Sequence, residues 1–306
     1  MAETEIAAFK RAWRQKVADM AAAAPPSVAV QRATFDAEHG AVPPAPDCSI
    51  EPIEQGGVRG EKITPAHADP GKALLYHHGG GHVFGSSRSH RHLVSRLASA
   101  AGVVAYNMDY ALAPEQPFPA ALTDAVAAWD FVLEQGFAPE NIVIGGESAG
   151  GNLTAALLVK LQQLGRPLPA GAYLLSAWLD LTHSGESYTV RAPHDPMIAP
   201  AGLELVATFY AGAASRNDPL VSPLFADPSG MPPLLIQVGA DEVLLSDSTQ
   251  FAQRAALAGV DVTLRVWPEM VHAWPLFHHL LPTNGAAGIA EAGQWIARRL
   301  QVAARA

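Results

Sequence analysis

Gly146-Glu147-Ser148-Ala149-Gly150 sets a serine between two glycines, directly after the apolar run Ile142-Val143-Ile144 and directly before a helical pattern. The order is strand, sharp turn, helix. Such a turn holds the serine in a strained backbone conformation, and small flanking residues leave room for neighbouring chain. The hydroxyl then stands exposed above a sheet. A short string of this kind also arises by chance, so its surroundings carry the argument. Upstream, Ala73-Leu74-Leu75-Tyr76-His77 reads as a buried strand running into His78-Gly79-Gly80-Gly81. Glycine triplets often mark nothing more than a flexible loop. After a strand, and with the elbow later in the chain, they expose N–H groups that can point at the oxyanion formed when a serine attacks a carbonyl. Losing one such donor costs about 3 kcal/mol. The expected donors are the N–H groups of Gly80, Gly81 and Ala149, with Gly79 shaping the turn and His78 anchoring the loop by a hydrogen bond.

A serine hydroxyl needs a base, usually histidine, and the histidine needs a carboxylate to hold its tautomer. Downstream of Ser148 stand His183, His194, His272, His278 and His279. Only His272 follows a clear final strand, residues 262–267, across the short turn Pro268-Glu269-Met270-Val271, and it is the expected base. His278 and His279 lie further on and are expected to face solvent or pack at a helix start. The strand Leu234-Leu235-Ile236-Gln237-Val238 ends at Gly239-Ala240-Asp241-Glu242, where two adjacent carboxylates compete for the acid role. Only one of them can face His272.

In this stretch the chain resembles the bacterial hormone-sensitive-lipase-like esterases, the family IV carboxylesterases of the α/β-hydrolase superfamily. Their acid lies in a Gly-x-x-Asp-Pro-Leu pattern, which places Gly239 on the glycine and Glu242 on the acid, followed by Val243-Leu244. The resemblance therefore points to Glu242, with Asp241 as runner-up and otherwise a turn or capping residue. Chain order in such folds is serine, acid, histidine, as it is here. Asp109-Tyr110-Ala111-Leu112-Ala113-Pro114-Glu115, followed by Pro117-Phe118-Pro119-Ala120-Ala121, is similar to the family's Asp-Tyr-Arg-Leu-Ala-Pro-Glu segment. Ala111 replaces the usual arginine, and Glu147 stands where aspartate or threonine is common; neither is expected to touch the chemistry. His82 replaces an apolar or aromatic residue after the glycine triplet, which would make the acyl side of the pocket more polar.

The resemblance runs from about residue 70 to the C-terminus. It implies an α/β-hydrolase fold, a mostly parallel central sheet flanked by helices, with a helical cap. Residues 46–177 and 223–306 would form the catalytic domain. Residues 1–45 and the insertion 178–222 would form the cap and supply the acyl-pocket wall, with Phe9, Trp13, Phe209 and Tyr210 among its aromatics. Any one of these aromatics could instead be ordinary core packing. The substrates implied are carboxylic esters of short to medium acyl chain, cleaved through an acyl-serine with no cofactor. A homodimer is a family-level expectation, with the strand over 262–267 as its candidate interface. Rival readings of the same motifs are an amidase, peptidase or lactonase, and a non-catalytic ligand receptor of the same fold.

Pattern and composition agree with this frame. The chain has 306 residues, 49% of them hydrophobic, enough to bury one large core. Strands are expected at 73–77, 103–107, 142–146, 172–176, 234–238 and 262–267, and helices near 88–100, 120–135, 149–164, 246–259 and 286–302. Such alternation requires crossovers and hence a largely parallel sheet. Residues 50–65, with Gly56-Gly57 between short runs, suggest a hairpin at its leading edge. Ile6, Phe9, Trp13, Val17 and Met20 recur at helical spacing among charged positions, which marks an amphipathic helix.

A net charge of -9 and a pI of about 5.7, with no basic run, argue against nucleic acid or anionic membrane as partners. Charges throughout Glu3 to Asp19 leave no apolar stretch for a signal peptide or a membrane span, so a cytoplasmic location is expected. Cys48, the only cysteine, lies in a proline-rich linker and excludes an intramolecular disulfide and a cysteine-based zinc site. His77, His78, His82, His90 and His92 invite a metal reading, but the glycines break any helical pairing of ligands and no carboxylate lies among them. No metal is expected, and His90 and His92 are assigned to a solvent-facing helix.

Overall fold

Four successive segments in which every residue is buried make up the centre of the molecule: β4 (Val103–Met108), β5 (Ile142–Glu147), β6 (Gly171–Leu175) and β7 (Leu234–Gly239). Strands buried on both faces belong to a parallel sheet covered by helices on each side. The computed structural model describes residues 3–21 and 26–301, and the side chains of these except residues 20 and 21, so the Met20 side chain lies outside the described ones. The chain begins with α1 (Glu5–Ala21) and α2 (Val28–Gly40), followed by β1 (Cys48–Gln55), β2 (Val58–Pro65) and β3 (Asp69–His77). Helix α3 (Ser87–Ala101) precedes β4, α4 (Ala120–Glu134) precedes β5, and α5 (Ala149–Gln163) precedes β6. After β6 come α6 (Ser187–Val190) and α7 (Pro200–Ala211), then β7, α8 (Leu245–Leu257), β8 (Val262–Trp267) and α9 (Pro282–Leu300).

The sheet order is β1-β2-β4-β3-β5-β6-β7-β8. The hairpin β1-β2 is antiparallel, β2 pairs antiparallel with β4, and every pairing from β4 to β8 is parallel. Alternation of side chains divides the core in two. Leu75 joins Trp129 of α4, Leu153 of α5 and Phe251 of α8 on one face. Leu74 and Tyr76 join Leu93 and Leu97 of α3 and Ile289 and Ile296 of α9 on the other. All parallel strands point the same way, so the turns after β3, β5, β6, β7 and β8 emerge at one edge of the sheet.

No apolar stripe marks helix α2 in the sequence, and His39 is its one buried residue among those described. It docks through the Arg32 cation together with two rings, Phe35 against His90 at 6.0 Å and His39 against Phe277 at 5.7 Å. Arg32 donates to Val83 O at 2.7 Å and Ala113 O at 2.6 Å, and pairs with Glu115. Cys48 opens β1 rather than lying in the linker, and its thiol donates to Ser95 O at 3.5 Å.

His90 and His92 correct a second expectation. Both are fully buried, because α3 lies beneath α2 and α9 rather than at the surface. His92 Nδ1 is 3.0 Å from His278 Nε2, and its ring stacks parallel to that of His39 at 6.4 Å. Burial, aided by the neighbouring imidazoles, pulls His92 down to about 2 and His39 to about 4. Burial and Arg96 likewise bring His278 down to about 4. These rings bind protons more readily when unfolded, so the stability their neutral forms provide above about pH 6.5 is lost on acidification through the folded values. The melting temperature is expected to fall as pH is lowered from about 6.5 towards 4, and His92→Gln should fall less over that range. Calorimetry at constant ionic strength checks both, and identical pH slopes for the two proteins would remove the histidine cluster as the cause.

Candidate active site

The backbone at Ser148 has φ 56° and ψ -122°, a conformation costly for any residue with a side chain, between the end of β5 and the start of α5. The turn is tight enough to require its glycines. A Cβ at Gly146 would lie 2.3 Å from Gly150 O, and one at Gly150 would lie 2.1 Å from His77 O. Ser148 N donates to Leu175 O at 2.9 Å, and Trp178 N donates to Ser148 O at 3.1 Å, which ties the turn to β6. The serine stays partly exposed, and its Oγ makes no hydrogen bond among the described residues.

Beside it runs the glycine loop after β3. Gly80 and Gly81 have φ of 111° and 64°, and a Cβ at Gly80 would lie 2.3 Å from Phe84 O. His78 Nδ1 lies 2.8 Å from Gly79 O, the anchoring contact expected of it, and Tyr110 OH donates to His78 O at 2.7 Å. Gly80 and Gly81 remain partly accessible, while Ala149 is buried at the first turn of α5, where backbone N–H groups have no intrahelical partner.

The two adjacent carboxylates face different ways. Glu242 is fully buried, with Oε2 3.0 Å from His272 Nδ1 and Oε1 accepting from Gly239 N at 2.5 Å and Ser176 Oγ at 2.7 Å. Asp241 turns outward, its Oδ2 2.5 Å from Lys10 Nζ of α1. Burial alone would lower the His272 pKa, but the hydrogen bond and charge of Glu242, with the charges of Asp195 and Glu147, outweigh it and hold it above the ordinary value.

Two polar residues went unremarked in the sequence. Ser176, just after β6 with φ 46°, donates to Glu242 and accepts from Ala273 N at 3.0 Å, joining that carboxylate to the segment that carries His272. Asp195, from the insertion between β6 and β7, accepts from Val243 N at 3.0 Å. Neither sits in a recognisable string, because each acts through residues distant in sequence.

The expected pocket aromatics separate into two groups. Phe9 and Trp13 stack at 5.4 Å and pack on Phe277 at 5.3 and 5.1 Å, in the core beneath α1. His82 is fully buried and stacks on Tyr210 at 3.6 Å, with rings 7° from parallel. Phe209 is half-buried on α7, and Val206 of the same helix lies beside Gly81, 3.2 Å from where a Cβ would stand. Among the described residues no three His, Cys, Asp or Glu side chains are grouped so as to hold a metal ion. Nor is any described helix long and apolar enough to cross a membrane.

A parallel sheet with a strained serine after β5, a carboxylate after β7 and a histidine after β8 defines an α/β-hydrolase, and residues 74–276 match the family model for the alpha/beta hydrolase fold. The chain is 43% identical over 244 residues to an acetyl-hydrolase of Streptomyces hygroscopicus, covering 80% of this chain and 81% of that one. It is 37% identical over 252 residues to an esterase of Acinetobacter venetianus, covering 81% and 83%. A crystal structure of an esterase from the bacterial hormone-sensitive lipase family superposes with a TM-score of 0.91 at 40% identity, over 98% of this chain and all of the other. The chain belongs to this bacterial hormone-sensitive lipase family of α/β-hydrolases and is a carboxylesterase.

The split between the carboxylates sets a ranking. Glu242→Gln is expected to lower kcat/KM by roughly 10³- to 10⁴-fold, whereas Asp241→Asn, which loses only an ion pair near the surface, should stay within about fivefold. Steady-state kinetics on a short-chain ester checks it; the reverse order would transfer the acid role to Asp241.

Proposed function

We propose that the protein hydrolyses carboxylic esters of short to medium acyl chain in two steps through an acyl-serine, with Ser148 as nucleophile, His272 as base and Glu242 as acid. The observation that carries this reading is the 3.0 Å contact between Glu242 and His272 at the sheet edge where the Ser148 elbow emerges. Glu242 accepts from Nδ1 and so leaves Nε2 of His272 to take the serine proton. The attacked carbonyl oxygen becomes an oxyanion held by the N–H groups of Gly80, Gly81 and Ala149. The carbon–oxygen bond to the alcohol then breaks, and His272 returns its proton to the leaving oxygen. Water, deprotonated by the same imidazole, attacks the acyl-serine; the acid leaves and Ser148 is restored. In that last step His272 returns the water proton to Ser148 Oγ as the bond between Oγ and the acyl carbon breaks.

A limited acyl length is supported by α7, whose Val206 lies beside Gly81 and whose Tyr210 is closed by the His82 ring. The acetyl-hydrolase among the relatives points the same way. In this reading α1, α2, α6 and α7 are the cap. Lys10 of α1 grips Asp241 and Asp195 of the insertion grips Val243, so both cap segments hold the loop that bears the acid.

Two measurements test the proposal. Hydrolysis of p-nitrophenyl esters should be fastest at short acyl length and vanish in Ser148→Ala with the fold intact by circular dichroism. Turnover retained in that variant would exclude the serine mechanism, and labelling of Ser148 by a phosphonate without ester turnover would indicate another leaving group. Because catalysis requires neutral His272, whose pKa is raised, kcat/KM should decline on acidification with an apparent pKa above about 6.5. An acid limb centred below that value would contradict the electrostatic assignment.

A further inference from the structure

Glu147, the residue before Ser148, was expected to stand apart from the chemistry, yet its carboxylate lies directly under the glycine loop. Its side chain is 2% exposed. Oε1 is 2.8 Å from His90 Nε2, and Oε2 accepts from Tyr76 OH at 3.2 Å. A Cβ built on Gly79 would fall 2.0 Å from Oε1, so the carboxylate packs against the bare Cα of that glycine. His90 is fixed in turn, its Nδ1 2.9 Å from Ser89 Oγ and its ring stacked on His78 at 5.4 Å. His78 holds Gly79 O and stacks on Tyr110 at 4.2 Å.

The loop that offers Gly80 and Gly81 therefore rests on a polar base formed by Glu147, His90, His78 and Tyr110. A carboxylate in such an interior costs several kcal/mol of desolvation unless it is hydrogen-bonded. Here it is bonded on both oxygens, by groups from α3 and β3 that frame the loop. Its backbone, meanwhile, is continuous with the nucleophile.

We propose that Glu147, locked by His90 and Tyr76, is a positioning residue that sets the glycine loop at the correct height against the Ser148 elbow, so that the oxyanion donors are aligned before substrate arrives. The groups that face Glu147 are His90, His78, Tyr76, Tyr110 and Tyr173, and its charge also reaches His272. The inference rests on the serine-esterase reading given above.

The test compares wild type with Glu147→Ala, Glu147→Gln and His90→Phe. For each, kcat, KM, the pH profile and the affinity for a short-chain trifluoromethyl ketone are measured, since that ketone adds to Ser148 and leaves an oxyanion in the hole. Glu147→Ala should lose roughly 10²-fold in kcat and a matching factor in ketone affinity, with KM within about twofold. Glu147→Gln, whose amide still reaches His90 and Tyr76, should recover most of both losses. Its acid limb should nevertheless move to lower pH, because a negative charge that raises His272 is gone. His90→Phe keeps a stacked ring but removes one partner, and should lose kcat and ketone affinity in parallel; it answers the question even if Glu147→Ala does not fold. Unchanged ketone affinity in either disruptive variant, or no recovery in Glu147→Gln, would overturn the proposal while leaving the esterase mechanism standing. A wild type that neither turns over esters nor binds the ketone would overturn the mechanism and this inference with it.

Discussion

The carbonyl oxygens of His77 and His78 lie so close to Gly150 that a single added carbon would stand 2.1 Å from the first and 2.4 Å from the second. This contact between the end of β3 and the first turn of α5 is what brings the glycine loop and the Ser148 elbow together. Its consequences spread outward. The strained φ of Ser148, the positive φ of Gly80 and Gly81 and the bare Cα of Gly79 over Glu147 all follow from two adjacent parallel strands turning at one edge with no side chain between them. Strain of this kind persists only where the surroundings over-determine it. Here Tyr110, Thr154 and the β6 backbone do so, by hydrogen bonds to His78 O, Gly150 O and Ser148 N.

The surroundings of Glu242 and His272 are built differently. The residues around Glu242 are held by polar contacts from four places in the chain: α1 through Lys10, β6 through Ser176, the insertion through Asp195, and the turn before Trp274 through His272. Ser176 and His272 bond the carboxylate itself, whereas Lys10 and Asp195 hold its neighbours Asp241 and Val243, and a buried carboxylate held in this way orients the imidazole it meets. Since two of the four contacts come from segments outside the sheet framework, the geometry of Glu242 depends on the packing of those segments.

The parallel strands, the hairpin and the main flanking helices could be read from the sequence, because hydrophobic period is a local property and here the central strands are built on short apolar runs such as Ile142-Val143-Ile144 and Leu234-Leu235-Ile236. Helix α2 could not, since it docks through Arg32 and the isolated rings of Phe35 and His39 and not through a continuous apolar stripe. His90 and His92 misled for a related reason. Histidine sits equally well on a wet or a buried helix face, and only the α2 and α9 helices lying over α3 settle which it is. The role of Glu147 was hidden because its partners, Tyr76 and His90, are 71 and 57 residues away in sequence.

The serine elbow, the glycine loop and the histidine after the last strand are properties of short strings, and a chain carrying them in this order has few ways to fold that leave its glycines useful. Which of Asp241 and Glu242 turns inward, by contrast, has no local signature: the two are adjacent and chemically alike. That choice came from Lys10 on one side and His272 on the other, brought to the same loop from opposite ends of the chain. The aromatics obeyed the same division. Helical spacing marked Phe9 and Trp13 as a face, but their packing on Phe277, away from Tyr210 and His82, followed from where α1 lies against the sheet. Periodicity tells which side of an element is buried, and the partner on the other side of that contact is a fact of three dimensions.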